Sequence, residues 1–251
     1  MNLSISNQQG NGLGEAGQPL PGSAGEHRLQ EAHGTERRAR AFYQRQMLDR
    51  LSERMQVFIA AQGMMFVSTA DARGNCDCSV RTGPPGFVCV VDARTLAYPE
   101  YRGNGVMASL GNLDENPHVG LLFVDFFGST VGCHVNGRAR VVENVALLAP
   151  GDAFPARLRV FVQAALEPTN PGQRPERWVV VEVEEAYIHC SKHIPRLLPG
   201  DKVIPWGTDD PAAKGGDFFC VKGLARPWAG ADEATTPAGG EGRDASGHPA
   251  C

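Results

Sequence analysis

The sequence predicts an α+β domain, mainly antiparallel β, folded as a β-barrel or sandwich with flanking helices. Three observations carry this. About seven short runs alternate apolar and polar residues, the period of a half-buried strand. The breaks between them are rich in Gly, Pro, Asn and Asp, so neighbouring strands pair as hairpins. No βαβ rhythm and no long internal repeat runs through the chain.

The elements follow in order. Residues 1–34 carry no periodicity beyond a single helical turn over 27–32, and their apolar side chains are too sparse to offset the entropy of ordering. Residues 229–251 have the same character, so both ends are expected to be disordered tails around one domain at 35–228. That domain opens with an amphipathic helix capped by Thr35. Its apolar stripe runs through Phe42, Leu48, Leu51, Met55, Phe58 and Ile59, with the arginines between them solvated. Strands follow at 64–70 and 76–81, joined by a turn in which Gly74 or Asn75 supplies a positive φ. The Thr82-Gly83-Pro84-Pro85-Gly86 break leads to strands at 87–92 and 95–99. The Arg102-Gly103-Asn104-Gly105 loop then opens a short helix at 106–113. Further strands are expected at 118–126, 131–143 and 177–190, with a helix near 156–166.

Composition excludes several functions. The 251 residues hold 24 Lys+Arg against 28 Asp+Glu, a formal charge of −4, so the basic excess of a general nucleic-acid binder is missing. Hydrophobic residues make up 42%, enough for a core, yet no run is long enough to span a bilayer as a helix. The first thirty residues lack the basic flank and apolar stretch of a secretory signal, which makes the cytoplasm the expected compartment. Seven cysteines, an odd number, argue for free buried thiols over a disulfide framework.

Two loops carry candidate chemistry. Residues 102–105 follow a strand and open a helix, where backbone N–H groups beside Gly103 and Gly105 suit a phosphate; Arg102 adds charge and Ser109 a hydroxyl. A connecting loop with a surface arginine is the plainer reading. Ser79 and Arg81 lie two apart on a strand, hence on one face, next to the second Gly/Pro loop. Arg81 and Arg102 together suit a phosphorylated ligand better than either singly; structural ion pairs are the alternative. Neither a complete dinucleotide fingerprint nor a Walker loop is present. His189 and His193 have i,i+4 spacing and Cys76 and Cys78 share a strand face, but neither pair has the further ligands of a tetrahedral site, so no metal is expected.

The series FVSTAD-x-x-G-x-C-D-x-S-x-R-x-GPPGFV, then TLAYPEYRGNGVMASLGNLDENPHVGLLF, then HVNGRARVVE resembles the pyridoxamine 5′-phosphate oxidase-like family. The likeness spans about 58–143, and the strand at 177–190 fits a later barrel strand. It implies an FMN-binding split β-barrel, a homodimer with FMN at its interface and a small-molecule substrate. Carried over residue by residue, it makes Arg81 a phosphate or ribityl contact and sets Tyr98 and Pro99 beside the isoalloxazine edge. Arg102, Asn104 and Ser109 fall where the oxidases hold the phosphate with a Ser-Arg-Lys cluster, and Ser79 shares the face of Arg81.

Two departures narrow the expectation. No Lys lies between Tyr98 and Asn116, so the phosphate is gripped differently. The substrate-holding Arg-x-His pair of the oxidases is replaced by the segment from Tyr187 to Arg196, which points to the wider class of flavin-dependent oxidoreductases rather than to vitamin B6 oxidation. A non-catalytic flavin or haem module and a deazaflavin-dependent reductase are the alternatives on the same barrel. His134, His189 and Tyr187 are the candidates for proton transfer, and residues 201–219 read as an arm over the barrel or a partner subunit, or as a lid on the flavin.

Overall fold

The computed structural model describes residues 20–169 and 171–208, together with 210, 213–222, 224–226, 228, 242–243 and 249–250. Its centre is an antiparallel sheet of eight strands, β1 (Met47–Leu48), β2 (Met64–Ala70), β3 (Cys76–Thr82), β4 (Cys89–Val90), β5 (Thr95–Glu100), β6 (His118–Val124), β7 (Gly132–Glu143) and β8 (Arg177–His189). The hydrogen-bonded path runs β3-β2-β6-β7-β8-β5-β4, with β1 added to β8, and is open between β3 and β4. That opening makes it a split barrel.

The first expected helix is three elements. Helix α2 (Glu36–Gln46) ends at Met47, β1 pairs its two residues with Tyr187 and Ala186, and α3 (Glu53–Ala60) begins anew. Two local forces break the run. Ser52 accepts the Met55 N–H at 3.3 Å as an N-cap, and β8 offers free backbone at Ala186 and Tyr187 beyond the stretch that β5 occupies. Thr35, the expected cap of α2, makes no side-chain capping bond.

The expected N-terminal tail contains helix α1 (Ala24–Ala32), while its first nineteen residues lie outside the described part. Ser23 and Glu26 form a reciprocal capping box there, and Gln30 Nε2 donates to the Tyr43 hydroxyl of α2 at 2.7 Å. The expected C-terminal tail also lies outside it, except for β9 (Gly242–Arg243), which pairs with β10 (Pro249–Ala250).

Most strands fall where alternation put them. The β2–β3 turn is built by Asp71, whose Oδ1 accepts the N–H of Arg73 and of Asn75, with Gly74 at φ +87°. The 87–92 stretch shrinks most, to β4, with the Phe87 N–H turned back onto the Pro84 carbonyl, and β6 ends two residues early at Val124. Helix α4 (Ala108–Glu115) starts two residues later than expected, after Met107 at φ +56°. Helix α5 (Asn144–Leu148) was not foreseen, and α6 is Ala156–Ala165.

Two apolar clusters hold the sheet. Inside the barrel lie Met65, Val67, Leu96, Tyr98, Leu121, Phe123, Val135, Val179 and Val181. On the other side, Trp178, Leu147, Leu158 and Val162 pack α5 and α6 against β8, and the Trp178 indole donates to Asn144 Oδ1 at 3.0 Å. Among the cysteines, Cys89 and Cys133 are buried thiols as expected. Cys76, Cys78 and Cys190 are exposed thiols, and Cys220 forms a disulfide.

β7 and β8 pair along their whole length with one register shift at Asn136/Gly137. A Cβ on Gly137 would sit 2.0 Å from the Glu182 carbonyl oxygen, whereas one on Gly120 would meet only the movable Asn136 side chain at 3.3 Å and Ser68 at 3.9 Å. Gly137→Ala is therefore expected to cost about 1–3 kcal/mol by chemical denaturation, and Gly120→Ala less than about 1 kcal/mol.

Candidate functional site

A cleft of about 960 Å³ opens between β3, the loop from β5 to α4, and the first turns of α4. β3 alternates: Asp77, Ser79 and Arg81 stand half-buried on the cleft side, while Cys76, Cys78 and Val80 are exposed, Val80 and Thr82 also touching the rim of the cleft. Helix α4 is held over the mouth by Asn112, whose Nδ2 donates to Thr69 Oγ1 of β2 at 3.0 Å.

A directed chain of hydrogen bonds lines the floor. Arg81 Nη1 donates to Ser79 Oγ at 2.7 Å, and Ser79 and Ser109 are linked at 3.1 Å. Ser109 Oγ donates to Asp77 Oδ2 at 2.7 Å, and a hydroxyl has one proton, so Ser109 accepts from Ser79. Every hydroxyl in the row then donates once and accepts once. The far side of Arg81 is pinned as well, Nε to Glu100 Oε1 at 2.7 Å with both side chains largely buried. Arg81 thus sits in one orientation, with no partner for its Nη2 among the described residues.

Further cations line the same cleft: Arg102, Arg177 and Lys214, against the carboxylates of Asp77, Glu100 and Glu176. Asn104 closes the loop by accepting the Val106 N–H at 3.0 Å. Trp206 of the 201–219 arm sits edge-on to Tyr101, ring centres 5.2 Å apart, and its backbone packs on Gly172. Burial pushes the Tyr101 hydroxyl above its ordinary pKa.

Five of the seven residues singled out in the sequence therefore line one cleft: Ser79, Arg81, Arg102, Asn104 and Ser109. Tyr98 and Pro99 do not; both are buried in β5 behind it. The Tyr98 hydroxyl is fully buried with no hydrogen-bond partner among the described residues. Burial, with the nearby Glu100 charge, drives its pKa far up. Sequence reasoning missed Asp77, Glu100, Arg177 and Lys214. The parity of Asp77 with Ser79 and Arg81 was a usable signal; Arg177 and Lys214 reach the cleft only through tertiary folding.

The three candidates for proton transfer also come together, but elsewhere. His134 stacks on Tyr187 with ring centres 4.6 Å apart, and its Nε2 lies 2.8 Å from His189 Nδ1. His189 leans over Gly132, where a Cβ would clash at 2.8 Å. Register puts this group on the outer face of the sheet. Val80, Phe66, Leu122, His134, Tyr187 and Met47 form one row across six strands, whereas Arg81 stands in the next row beside Met65, Phe123 and Cys133. His193, the other half of the i,i+4 pair, follows in a 3₁₀ turn, so no single helix carries both imidazoles. No group of three or more His, Cys, Asp or Glu among the described residues is placed to hold a metal.

Sheet, mouth and cleft define a split β-barrel protein with a polar, cation-lined pocket. A family model described as pyridoxamine 5′-phosphate oxidase matches residues 51–190, more than half of the 251, and the chain belongs to that family. Among solved structures it is similar to a candidate pyridoxamine 5′-phosphate oxidase of Lactobacillus delbrueckii (22% identity, 57% of this chain and 98% of that one, TM-score 0.38). It is also similar to an FMN-binding protein of Syntrophomonas wolfei (14%, 64% and 96%, 0.39) and to HutZ, a haem storage protein of Vibrio cholerae (14%, 56% and 94%, 0.33). No curated protein matches it at a significant level. Among the described residues no helix is long and apolar enough to cross a membrane.

Two outcomes are expected. Ser109→Ala removes the acceptor of Ser79 and the donor to Asp77, and is expected to lower stability by about 1–3 kcal/mol in a denaturant titration. Burial, then the His189 charge, holds the His134 pKa below its usual value. The unfolded chain thus takes up that proton first, at about pH 6.5, and stability falls as pH drops from there through the lower folded value. Denaturation midpoints at pH 5 and pH 7.5 should differ less in His134→Gln than in the parent.

Proposed function

We propose that the chain binds FMN in the β3–α4 cleft and serves as a flavin-dependent oxidoreductase for a small molecule. The observation that carries the proposal is the cleft itself. It gathers a fixed guanidinium, three further cations, two serine hydroxyls and Asn104 in a volume that suits a ligand of FMN's size.

The residues fit such a cofactor. Arg81 is already oriented by Glu100 and Ser79, so little ordering entropy is lost when its Nη2 meets a phosphate oxygen. Arg102 and Lys214 add charge for the same group, Arg177 being paired with Glu143 at 3.3 Å, and Ser79 and Ser109 offer their remaining lone pairs to the ribityl hydroxyls. The carboxylates of Asp77 and Glu100 oppose a second anion in the floor, which favours a phosphate carried on the guanidinium side. Tyr101 and Trp206 form an apolar wall that keeps water from one side of the bound ligand. FMN, when bound, supplies hydride or electron transfer; the chain's part is to hold and orient it.

A homodimer belongs to this reading. The outer row of Val80, Phe66 and Leu122, ahead of His134 and Tyr187, leaves a partly exposed apolar patch on the sheet, with Val80 49% exposed. A second copy covering that patch would remove it from water.

Titration with FMN, followed by flavin absorbance and fluorescence quenching, tests the proposal. Saturable binding of one FMN per chain is expected, weakened roughly 10- to 100-fold by Arg81→Ala and by Arg102→Ala, the range for losing a charged hydrogen bond. Bound flavin should be bleached by NADH or NADPH. Binding without bleaching marks a flavin carrier, a Soret band a haem module, and titration by a deazaflavin alone a deazaflavin reductase. A sample that takes up no FMN removes the reading, and sedimentation velocity checks the dimer.

A further inference from the structure

Strand β3 carries a second chemistry on its outward face. Cys76 and Cys78 both stand there, exposed and free, on either side of the inward-facing Asp77. β3 ends the sheet path, so nothing among the paired strands lies beyond it. Opposite Cys78, Ser68 donates its hydroxyl to the Cys78 sulfur at 3.6 Å, which fixes the sulfur on the outward face. The next residue in that row is Gly120, which has no side chain to crowd the sulfur. Cys76 makes one weak S–H bond to the Gly74 carbonyl at 3.5 Å.

Strand geometry decides what two such thiols can do. Residues two apart on a strand have Cα atoms about 6.6–6.8 Å apart and nearly parallel side chains. A disulfide prefers Cα atoms about 5.5–6 Å apart and Cβ atoms within about 4.5 Å. Pairing of Cys76 with Ala70 and of Cys78 with Ser68 holds the backbone against that approach. A bridging ion lengthens the link: two metal–sulfur bonds of about 2.3 Å in a line span about 4.6 Å between the sulfurs. Tetrahedral zinc needs two ligands more, and the described residues hold no cluster of three. Thiolates suit Cu(I), zinc and iron–sulfur clusters; zinc and the clusters call for about four ligands, which leaves a soft cation content with two.

We propose that Cys76 and Cys78 form a two-coordinate thiolate site for a soft monovalent cation of the Cu(I) type. Each thiol releases its proton as its sulfur–metal bond forms, and no electron is transferred. The site lies on the face of β3 opposite the cleft and does not depend on the flavin reading.

The test uses the reduced full chain, titrated anaerobically with Cu(I) against bicinchoninate. One Cu(I) per chain should be withheld from the chelator, with thiolate-to-copper absorption in the near ultraviolet. Cys76→Ser and Cys78→Ser should each weaken binding by about 100-fold, the upper end of the cost of losing even an outer-shell partner. Cys190→Ser, which changes an exposed free thiol elsewhere in the fold, should leave it intact, and circular dichroism should show all three variants folded. Failure of the parent to withhold Cu(I), equal retention by the Cys76 and Cys78 variants, or displacement of Cu(I) by equimolar Zn(II) would each overturn the proposal.

Discussion

The structure hangs on β8. Its thirteen residues pair with β7 over their full length, with β5 over Arg177–Glu182, and with β1 at Ala186 and Tyr187. One strand therefore serves two partners in succession on the same edge. The change of partner between Glu182 and Ala186 lies beside the register shift at Gly137, where the bulge lets two strands of a strongly twisted sheet stay bonded. Trp178 and Val180 face α5 and α6 while Val179 and Val181 face the barrel, which is why the strand reads as a nearly unbroken apolar run.

That double duty explains which parts of the fold were legible in the sequence. Long strands with one buried face show alternation, and β2, β3, β6, β7 and β8 are found within a residue or two of where it puts them. β1 is two residues long and exists only because β8 has spare backbone, so no local pattern marks it. The helical spacing from Phe42 to Ile59 was real as a count. It joined two helices whose apolar faces meet different surroundings, Phe42 against Tyr187 and Ile59 in the barrel core. The Ser23–Glu26 capping box was written in the sequence too, but the low apolar content around it outweighed a signal of about 1 kcal/mol.

The cleft was legible in its own way. Glycine-flanked arginines at strand ends marked two loops, and folding brings both loops to one place. The acids were harder to see, because Asp77 and Glu100 mean nothing until they stand beside Ser109 and Arg81. Their presence changes the electrostatics of the site. A guanidinium held by a carboxylate is less of a free charge and more of a fixed donor, so the cleft selects by direction as much as by attraction. Tyr98 illustrates the reverse case. Its place in the motif pointed to the ligand, but in the fold its ring fills the barrel and its buried hydroxyl has no hydrogen-bond partner among the described residues.

Period-two alternation on a single edge strand ties these threads together. Within seven residues β3 presents Asp77, Ser79 and Arg81 to the cleft and Cys76, Cys78 and Val80 to the outside. A slip of one residue against β2 would exchange the two sets, putting thiols into the phosphate-facing wall and charges onto the apolar outer row. The register is protected at both ends, by the Asp71 turn at one and by the Gly83 N–H on the Gly63 carbonyl at the other. The barrel core adds a third restraint, since Met65, Val67 and Thr69 of β2 are buried only in this register. The polar chemistry of the cleft thus rests on apolar packing one strand away, and a mutation that loosens β2 should disturb ligand contacts that it never touches.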